Sequence, residues 1–108
     1  MSLHHPQAQE LDLATVLHAL SDPQRLAIVN RLAAEQEPCA CGSFGLGVTK
    51  STLTHHFRVL REAGVIAQEP TGTSKLNSLR RDDLDTRFPG LLDAVLASVT
   101  EPALVPAA

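Results

Sequence analysis

Apolar residues recur at helical spacing in the first third of the chain. Between residues 13 and 20, leucine and valine occupy positions i, i+3, i+4 and i+7 of one amphipathic pattern. The tripeptide Ser21-Asp22-Pro23 ends this helix and begins a second, because aspartate is a good N-cap and proline fits the first helical turn. The second helix is expected to end near Glu35. This part of the chain therefore predicts two consecutive helices joined by a short turn.

The most strongly amphipathic pattern lies in a later helix, which is predicted to extend from Lys50 to about Ala63. Thr49 can cap its first turn, and Gly64 can end it. When residues are placed at steps of about 100°, one side of this helix is apolar and the opposite side is small, polar and cationic. The apolar side carries Leu53, Phe57 and Leu60, and the polar side carries Ser51, Thr54, His55 and Arg58.

The pattern changes on both sides of that helix. Residues 38–49 contain three glycines, so at most a single helical turn around residues 43–46 is expected there. After the helix, two short runs of strand character at 65–69 and 75–79 flank a stretch of turn residues. These runs predict a β-hairpin with a moderately long loop.

A last helix is predicted after Phe88-Pro89-Gly90, and Asp82-Asp83 before it can cap a short turn. The expected element order is then α-α-α-α-β-β-α, in which the third α is the short turn at residues 43–46. This is a mainly α fold with a small β-hairpin. A short helix followed by a capped helix with a polar outer face is the helix-turn-helix arrangement, and the hairpin beside it would be a wing.

A single domain accounts for the whole pattern. A chain of 108 residues has the length of an ordinary domain and can bury a core without disulfides or metals. We expect a flexible arm over residues 1–9, one domain over residues 10–100 and a flexible tail over residues 101–108. The chain has no apolar run of about 18 residues and no apolar stretch of signal-peptide type near its start, so neither a membrane span nor export is expected. A cytoplasmic location is the expectation.

Charge is unevenly distributed along the chain. The net charge is -3, but residues 50–81 contain six basic and two acidic side chains, a local charge of +4, whereas the rest carries -7 from three basic and ten acidic side chains. A local positive field suits a nucleic-acid binder, since affinity for phosphates depends on the local patch. Charge also fluctuates along any chain, so an incidental patch is the alternative. With no Trp, no Tyr and only three Phe, the chain effectively lacks an aromatic platform for single-stranded nucleic acid.

Two segments resemble the ArsR/SmtB family of transcriptional repressors. One is ALSDPQRLAIV at residues 19–29, and the other is KSTLTHHFRVLREAGVI at residues 50–66. The resemblance extends from about Leu13 to Val95. It implies a winged-helix homodimer whose DNA-binding domain represses transcription from a pseudo-palindromic double-stranded DNA operator. In such a complex the helix at 50–63 would lie in the major groove, and an effector could release the protein from the operator.

The DNA-contacting residues are assigned from this resemblance and from the helix pattern together. A helix without bulky apolar groups on its outer face can enter a major groove about 12 Å wide. His56 lies at the edge of the apolar side and is expected to be packed and hydrogen-bonded. The wing departs from the family, because its loop lacks the common arginine and tyrosine. The predicted DNA-binding residues are Lys50, Ser51, Thr52, Thr54, His55, Arg58, Arg61 and Lys75.

The two cysteines, Cys39 and Cys41, stand where metal-sensing members of the family often carry a Cys-x-Cys motif. Two thiolates can bind zinc or another soft metal or metalloid, but such ions need further ligands, for which His4 and His5 on the arm are the candidates. Gly42 replaces the aspartate that often follows the motif. Structurally silent thiols and a thiol sensor of oxidation are the alternatives.

The first and last helices carry more aliphatic surface than a small three-helix core needs. Pairing these helices across a two-fold axis would bury that surface and place two recognition helices about one DNA turn apart. The alternative is that these side chains close the core of the monomer. The predicted interface residues are Leu13, Val16, Leu17, Leu20, Leu91, Leu92, Val95 and Leu96.

Two other classes of function compete with a repressor. A winged-helix module used for protein–protein contact fits the acidic total charge and the weakly basic wing. An enzyme is not expected, because no nucleophile–base pair, glycine-rich phosphate loop or pair of carboxylates stands at a suggestive spacing.

Overall fold

The computed structural model describes residues 3–35, 37–40 and 47–99 of the chain. Within these ranges the fold consists of five α-helices and a small antiparallel sheet, which confirms the predicted mainly α winged helix-turn-helix. The elements in chain order are a 3-10 turn (Ala8–Glu10), α1 (Leu13–Leu20), α2 (Pro23–Ala34), β1 (Cys39–Ala40), α3 (Lys50–Ala63), β2 (Ile66–Thr71), β3 (Ser74–Leu79), α4 (Arg81–Arg87) and α5 (Leu91–Ser98). The helical turn predicted at residues 43–46 lies outside the described residues.

The predicted caps set the ends of α2 and α3. The Asp22 carboxylate accepts a hydrogen bond of 3.0 Å from the backbone N–H of Arg25 at the start of α2. At the start of α3, the Thr49 hydroxyl accepts from the backbone N–H of Thr52. Gly64 ends α3 at a φ of 87°, in the left-handed region that glycine adopts without strain.

The core lies where the inner sides of α1, α2, α3 and β2 meet. Ile28 of α2, Leu60 of α3 and Ile66 of β2 are fully buried, together with Val16 of α1. Phe57 provides the only fully buried phenyl ring among the described residues. The core is therefore mainly aliphatic, and it fixes which side of α3 faces inward.

The sheet differs from the predicted two-stranded hairpin in having a third strand. β1 pairs with β3, with Cys39 opposite Asn77, so the strand order is β1-β3-β2. The sequence could not indicate β1, because a strand of two residues is too short to show alternation.

The predicted hairpin loop is also shorter in the structure. Thr71 pairs with Ser74, which leaves only Gly72 and Thr73 between the strands. Pro70 lies inside β2 because β2 is an edge strand, where a residue without an N–H is tolerated. The wing, as we call the hairpin of β2 and β3, is thus a compact ribbon.

The N-terminal segment, residues 6–11, contacts both ends of α4, at Arg80 just before the helix and at Arg87 in its last turn. The Arg80 guanidinium donates to the carbonyl oxygen of Pro6 at 2.7 Å, and Arg87 donates to that of Leu11 at 3.1 Å. The flexibility expected of residues 1–9, like the boundaries at residues 10 and 100, stays a prediction. None of the described helices is both long enough and apolar enough to cross a membrane.

The residues predicted for a dimer interface fall into three groups in the single chain. Leu13 and Leu17 on α1 are exposed, at 46% and 44%. Val16, Leu20 and Leu92 belong to the core of the monomer, while the others are half-buried on α5 (Leu91, Val95 and Leu96).

Candidate nucleic-acid interface

The structure turns the polar side of α3 outward. Phe57 and Leu60 anchor the opposite side of the helix in the core. Five side chains on the exposed side line one shallow, open depression, and we call this surface the outer face: Lys50, Ser51, Thr54, His55 and Arg58. The residues that the helix pattern placed on one side therefore lie together on an accessible surface.

The charges on the outer face are available to a ligand. Neither Lys50 nor Arg58 forms an ion pair with an acidic side chain in the described part of the chain. Lys50 and Ser51 also lie in the first turn of a 14-residue helix, where free backbone N–H groups favour an anion. The outer face thus combines cationic, hydroxyl and imidazole groups with a favourable helix dipole.

Thr52 is exposed beside this surface, but its side chain serves the helix cap. Its hydroxyl accepts a hydrogen bond of 2.8 Å from the Thr49 hydroxyl. The structure therefore does not place Thr52 in the depression that the outer face lines.

Arg61 is also set apart from the outer face. Its side chain is only 11% exposed, and its guanidinium donates to the Gln68 side-chain oxygen at 2.9 Å and lies 3.7 Å from the Glu62 carboxylate. The helix pattern alone could not show this, because the partner of Arg61 lies on β2.

The two arginines that follow the wing carry less free positive charge than their number in the sequence suggests, because both form ion pairs. Arg80 pairs with Asp83 at 2.9 Å, and Arg81 pairs with both Asp85 and Asp93. Lys75 on β3 is half-buried and has no such ion pair among the described residues. Of the +4 local charge, Lys50, Arg58 and Lys75 are the cations best placed to meet a polyanion.

His56 behaves as the sequence predicted, because it is buried and hydrogen-bonded. Its Nδ1 atom lies 3.2 Å from the Arg25 guanidinium and 3.9 Å from the Asp22 carboxylate. Burial lowers the pKa of His56 below its ordinary value of 6.5, while the Asp22 carboxylate acts in the opposite direction. The neutral ring can then accept a hydrogen bond from Arg25.

Arg25 is a buried neighbour of α3 that the sequence did not reveal. It is buried, and besides His56 it contacts the end of α1, donating to the carbonyl oxygens of Ala19 at 2.7 Å and His18 at 3.4 Å. Both carbonyls lie in the last turn of α1, where a helix leaves its C=O groups without partners inside the helix. One arginine therefore connects α1, α2 and α3.

The candidate thiol site is only partly described. Cys39 is free and buried, and its Sγ donates to the carbonyl oxygen of Glu37 at 3.6 Å, while Cys41 lies outside the described residues. His4 is exposed. Within the described ranges, no group of three or more His, Cys, Asp and Glu side chains could hold a metal ion.

His5 is already engaged on the sheet. Its Nδ1 donates to the carbonyl oxygen of Leu3 at 3.0 Å, and its Nε2 accepts from the backbone N–H of Gln68 at 2.9 Å. Both ring nitrogens are used, so His5 could ligate a metal only after leaving β2.

Comparisons with known proteins agree with this geometry. The family described as "bacterial regulatory protein, arsR family" matches residues 22–68, which include α2, α3 and the start of the wing. The HTH-type transcriptional regulator YceK of Bacillus subtilis is 36% identical over 91 residues, covering 82% of this chain and 91% of the relative. The arsenical resistance operon repressor of Staphylococcus xylosus is 32% identical over 75 residues, covering 68% of this chain and 71% of the relative.

A second arsenical resistance operon repressor, from Bacillus subtilis, is 30% identical over 82 residues, covering 75% of this chain and 74% of the relative. These relatives are transcriptional regulators, not enzymes, which agrees with the lack of catalytic motifs in the sequence. The structure combines an amphipathic α3, which has an accessible polar face, with a wing beside it, and the relatives match over most of both chains. We conclude that this chain belongs to the ArsR family of helix-turn-helix transcriptional regulators.

Proposed function

We propose that the protein is a sequence-specific DNA-binding repressor that places α3 in the major groove of a pseudo-palindromic operator. The outer face carries this proposal. It presents five polar or cationic side chains in one open depression, with no bulky apolar group among them. A major groove about 12 Å wide accepts a helix of this kind.

The chemistry of the outer face suits both parts of DNA recognition. Lys50 and the first-turn backbone N–H groups would bind a phosphate and set the position of the helix. Thr54 and His55 can hydrogen-bond base edges, and Arg58 can reach a phosphate or a guanine. Lys75 on the wing would add a further phosphate contact.

A homodimer would present two such helices to the two halves of an operator. Leu13 and Leu17 are large apolar side chains exposed on α1, and a groove beside them is lined by apolar residues of α1, α2 and α5 that include Leu26 and Val95. A second copy of the chain would bury this surface, and a two-fold axis would relate the two recognition helices.

The experiment is operator binding by the natural chain and two matched arginine variants. Arg58→Ala removes a cation of the outer face, and Arg31→Ala removes a partly exposed arginine on α2, away from that face. We expect Arg58→Ala to weaken binding by about tenfold or more, with little change in stability, and Arg31→Ala to leave binding unchanged.

A mobility shift with DNA from upstream of the protein's own gene, followed by selection from a random-sequence library, provides the measurement. Failure of the natural chain to bind any duplex at low salt would favour the alternative, a winged-helix module for protein–protein contact. Equal affinity of Arg58→Ala and the natural chain would contradict the assigned face.

A second candidate function is release by a soft metal or metalloid, such as zinc or arsenite, through Cys39 and Cys41. Two relatives are repressors of arsenical resistance operons, and Cys39 is a free thiol. Since both nitrogens of His5 are engaged, the ligands beyond the thiols would come from His4 or from the arm after it leaves β2. Oxidation sensing by the same thiols is the competing effector.

The double variant Cys39→Ser/Cys41→Ser tests this candidate. We expect arsenite or zinc to release the natural protein from its operator and to leave the variant bound. Release at the same concentration in both proteins would show that the thiols are not the sensor. Release by peroxide under metal-free conditions, lost in the variant, would assign oxidation sensing.

A further inference from the structure

A row of hydrogen-bonded polar groups runs across the sheet and ends on α3. The Arg61 guanidinium donates to the Gln68 side-chain oxygen at 2.9 Å, and the Gln68 amide nitrogen donates to the Asn77 side-chain oxygen at 2.7 Å. The Asn77 amide nitrogen in turn donates to the carbonyl oxygen of Cys39 at 2.9 Å. We call this chain of four groups the polar relay.

The strand register explains why these groups meet. Gln68 on β2 is paired with Asn77 on β3, and Asn77 is paired with Cys39 on β1. Residues paired directly across neighbouring strands share one face of the sheet and lie about 5 Å apart, within reach of each other's side chains. The relay therefore spans all three strands at one level of the sheet.

The two central residues of the relay, Gln68 and Asn77, are buried at positions where apolar residues are normally expected. Asn77 is 0% exposed and Gln68 is 4% exposed. Well-packed apolar side chains at such positions are often as stabilising as a satisfied polar network, whereas hydrogen bonds add fixed directions and distances. Polar side chains at these two buried positions thus favour a role in fixing how the strands and α3 are positioned relative to one another.

The relay joins the two parts of the molecule that the proposed function brings to DNA. Arg61 lies in the last turn of α3, one turn beyond Arg58. Asn77 is two residues from Lys75 on β3, and its amide nitrogen also lies 3.5 Å from the carbonyl oxygen of Lys75. Helix and wing are therefore linked through Gln68 and Asn77, whose side chains are buried.

We infer that Gln68 and Asn77 are positioning residues that hold the wing at the angle to α3 at which Lys75 and the outer face contact the same duplex. This inference rests on the proposed DNA binding. It predicts that loss of the relay leaves α3 competent to bind but removes the contribution of Lys75.

The test is a double-mutant cycle between the relay and the wing. Gln68→Met keeps the length of the side chain and removes both of its polar atoms, and Lys75→Ala removes the wing cation. Operator affinity and its dependence on salt are measured by fluorescence anisotropy for the natural chain, each single variant and the double variant. The duplex is the one recovered by selection with the natural chain.

We expect Lys75→Ala to weaken binding and to reduce the salt slope by about one in the natural background, as for the loss of one phosphate contact. Gln68→Met should cause a similar loss, and Lys75→Ala should then cost nothing more. The matched control is Arg58→Ala, whose effect should be the same in both backgrounds because it lies on the helix itself.

A merely structural role for the relay gives a different result. Gln68→Met would then lower the free energy of unfolding in urea but leave the operator affinity of the folded protein unchanged. An equal cost of Lys75→Ala in both backgrounds, a cost of zero included, overturns the inference. Absence of any selected duplex would instead contradict the proposed function on which the inference rests.

A second variant guards against a failure to fold. Gln68→Leu/Asn77→Leu replaces both partners of the central hydrogen bond by apolar side chains, so that no amide group of that bond is left buried without its partner. If Gln68→Met does not give a cooperative urea transition, the same cycle with Lys75→Ala is run on this variant, with the same outcomes.

Discussion

At the scale of single residues, one buried contact is expected to make the free energy of unfolding depend on pH. His56 is enclosed beside Arg25, and burial is the largest cause that lowers its pKa. As the pH falls through 6.5, the unfolded chain takes up a proton at this histidine while the folded protein resists. Acidification therefore favours the unfolded state.

We expect the free energy of unfolding to decrease as the pH is lowered from about 7.5 to about 5.5. His56→Gln, which keeps an acceptor for Arg25 but cannot titrate, should flatten this dependence. Asn30→Gln, at an exposed position on α2 where neither side chain titrates, is the control and should leave the slope unchanged. Urea unfolding at several pH values measures both. The same slope in His56→Gln and the natural chain would show that His56 does not cause the effect.

The amino-acid sequence predicts the positions of some of these side chains but not of others. The positions of Thr54, His55 and Arg58 on one side of a helix follow from its period alone. Arg25 does not follow, because its burial depends on carbonyl groups of α1 and a ring on α3, which only the folded chain brings near.

At the scale of elements, the helices were predictable because their signals are local. Asp22 and Thr49 act as caps within three residues of their partners, and Gly64 ends α3 by its own conformation. The sheet was less predictable. Gln68 and Asn77 are polar at buried strand positions, and the alternation of polar and apolar residues that marks a strand face is lost there.

The end of α3 offers a test of how elements pack. A side chain at Gly64 would need a left-handed backbone, and its Cβ would lie 2.0 Å from the Leu11 side chain. Gly72 in the wing turn also has a positive φ, but nothing lies within 4 Å of a Cβ there. Replacing each of the two glycines by alanine therefore distinguishes the cost of backbone strain from the cost of steric overlap.

We expect Gly72→Ala to reduce the free energy of unfolding by about 1–2 kcal/mol, the usual cost of a left-handed L-residue. Gly64→Ala should cost clearly more, because Leu11 must also move away from α3. Urea unfolding of both variants gives the comparison. Equal losses of unfolding free energy in the two variants would mean that the segment around Leu11 can move away without cost and is not packed tightly against the end of α3.

At the scale of the whole molecule, α1 carries two large apolar side chains that the single chain leaves exposed. The monomer buries Val16 and Leu20 in its own core and leaves Leu13 and Leu17 at the surface. Sequence periodicity marks all four as one apolar stripe and cannot divide them, since the division depends on where α2 and α5 pack. The two exposed positions are the ones whose change should affect assembly and not folding.

We expect Leu13→Glu/Leu17→Glu to sediment as a monomer under conditions in which the natural chain is a dimer. Its thermal unfolding should remain cooperative, because neither side chain belongs to the core. The control is Ala33→Glu, which adds a charge at an exposed position on α2 and should leave the dimer intact.

Operator binding by the same variants then connects assembly to function. A monomer carries one recognition helix and can occupy only one half-site, so it loses the gain that linked binding of two half-sites provides, which we expect to be about a hundredfold or more. The control should bind as the natural chain does. If the glutamate variant bound a full operator as tightly as the natural chain, recognition would not require the two-fold arrangement. If it sedimented as a dimer, the exposed leucines of α1 would not be the surface that holds two copies together.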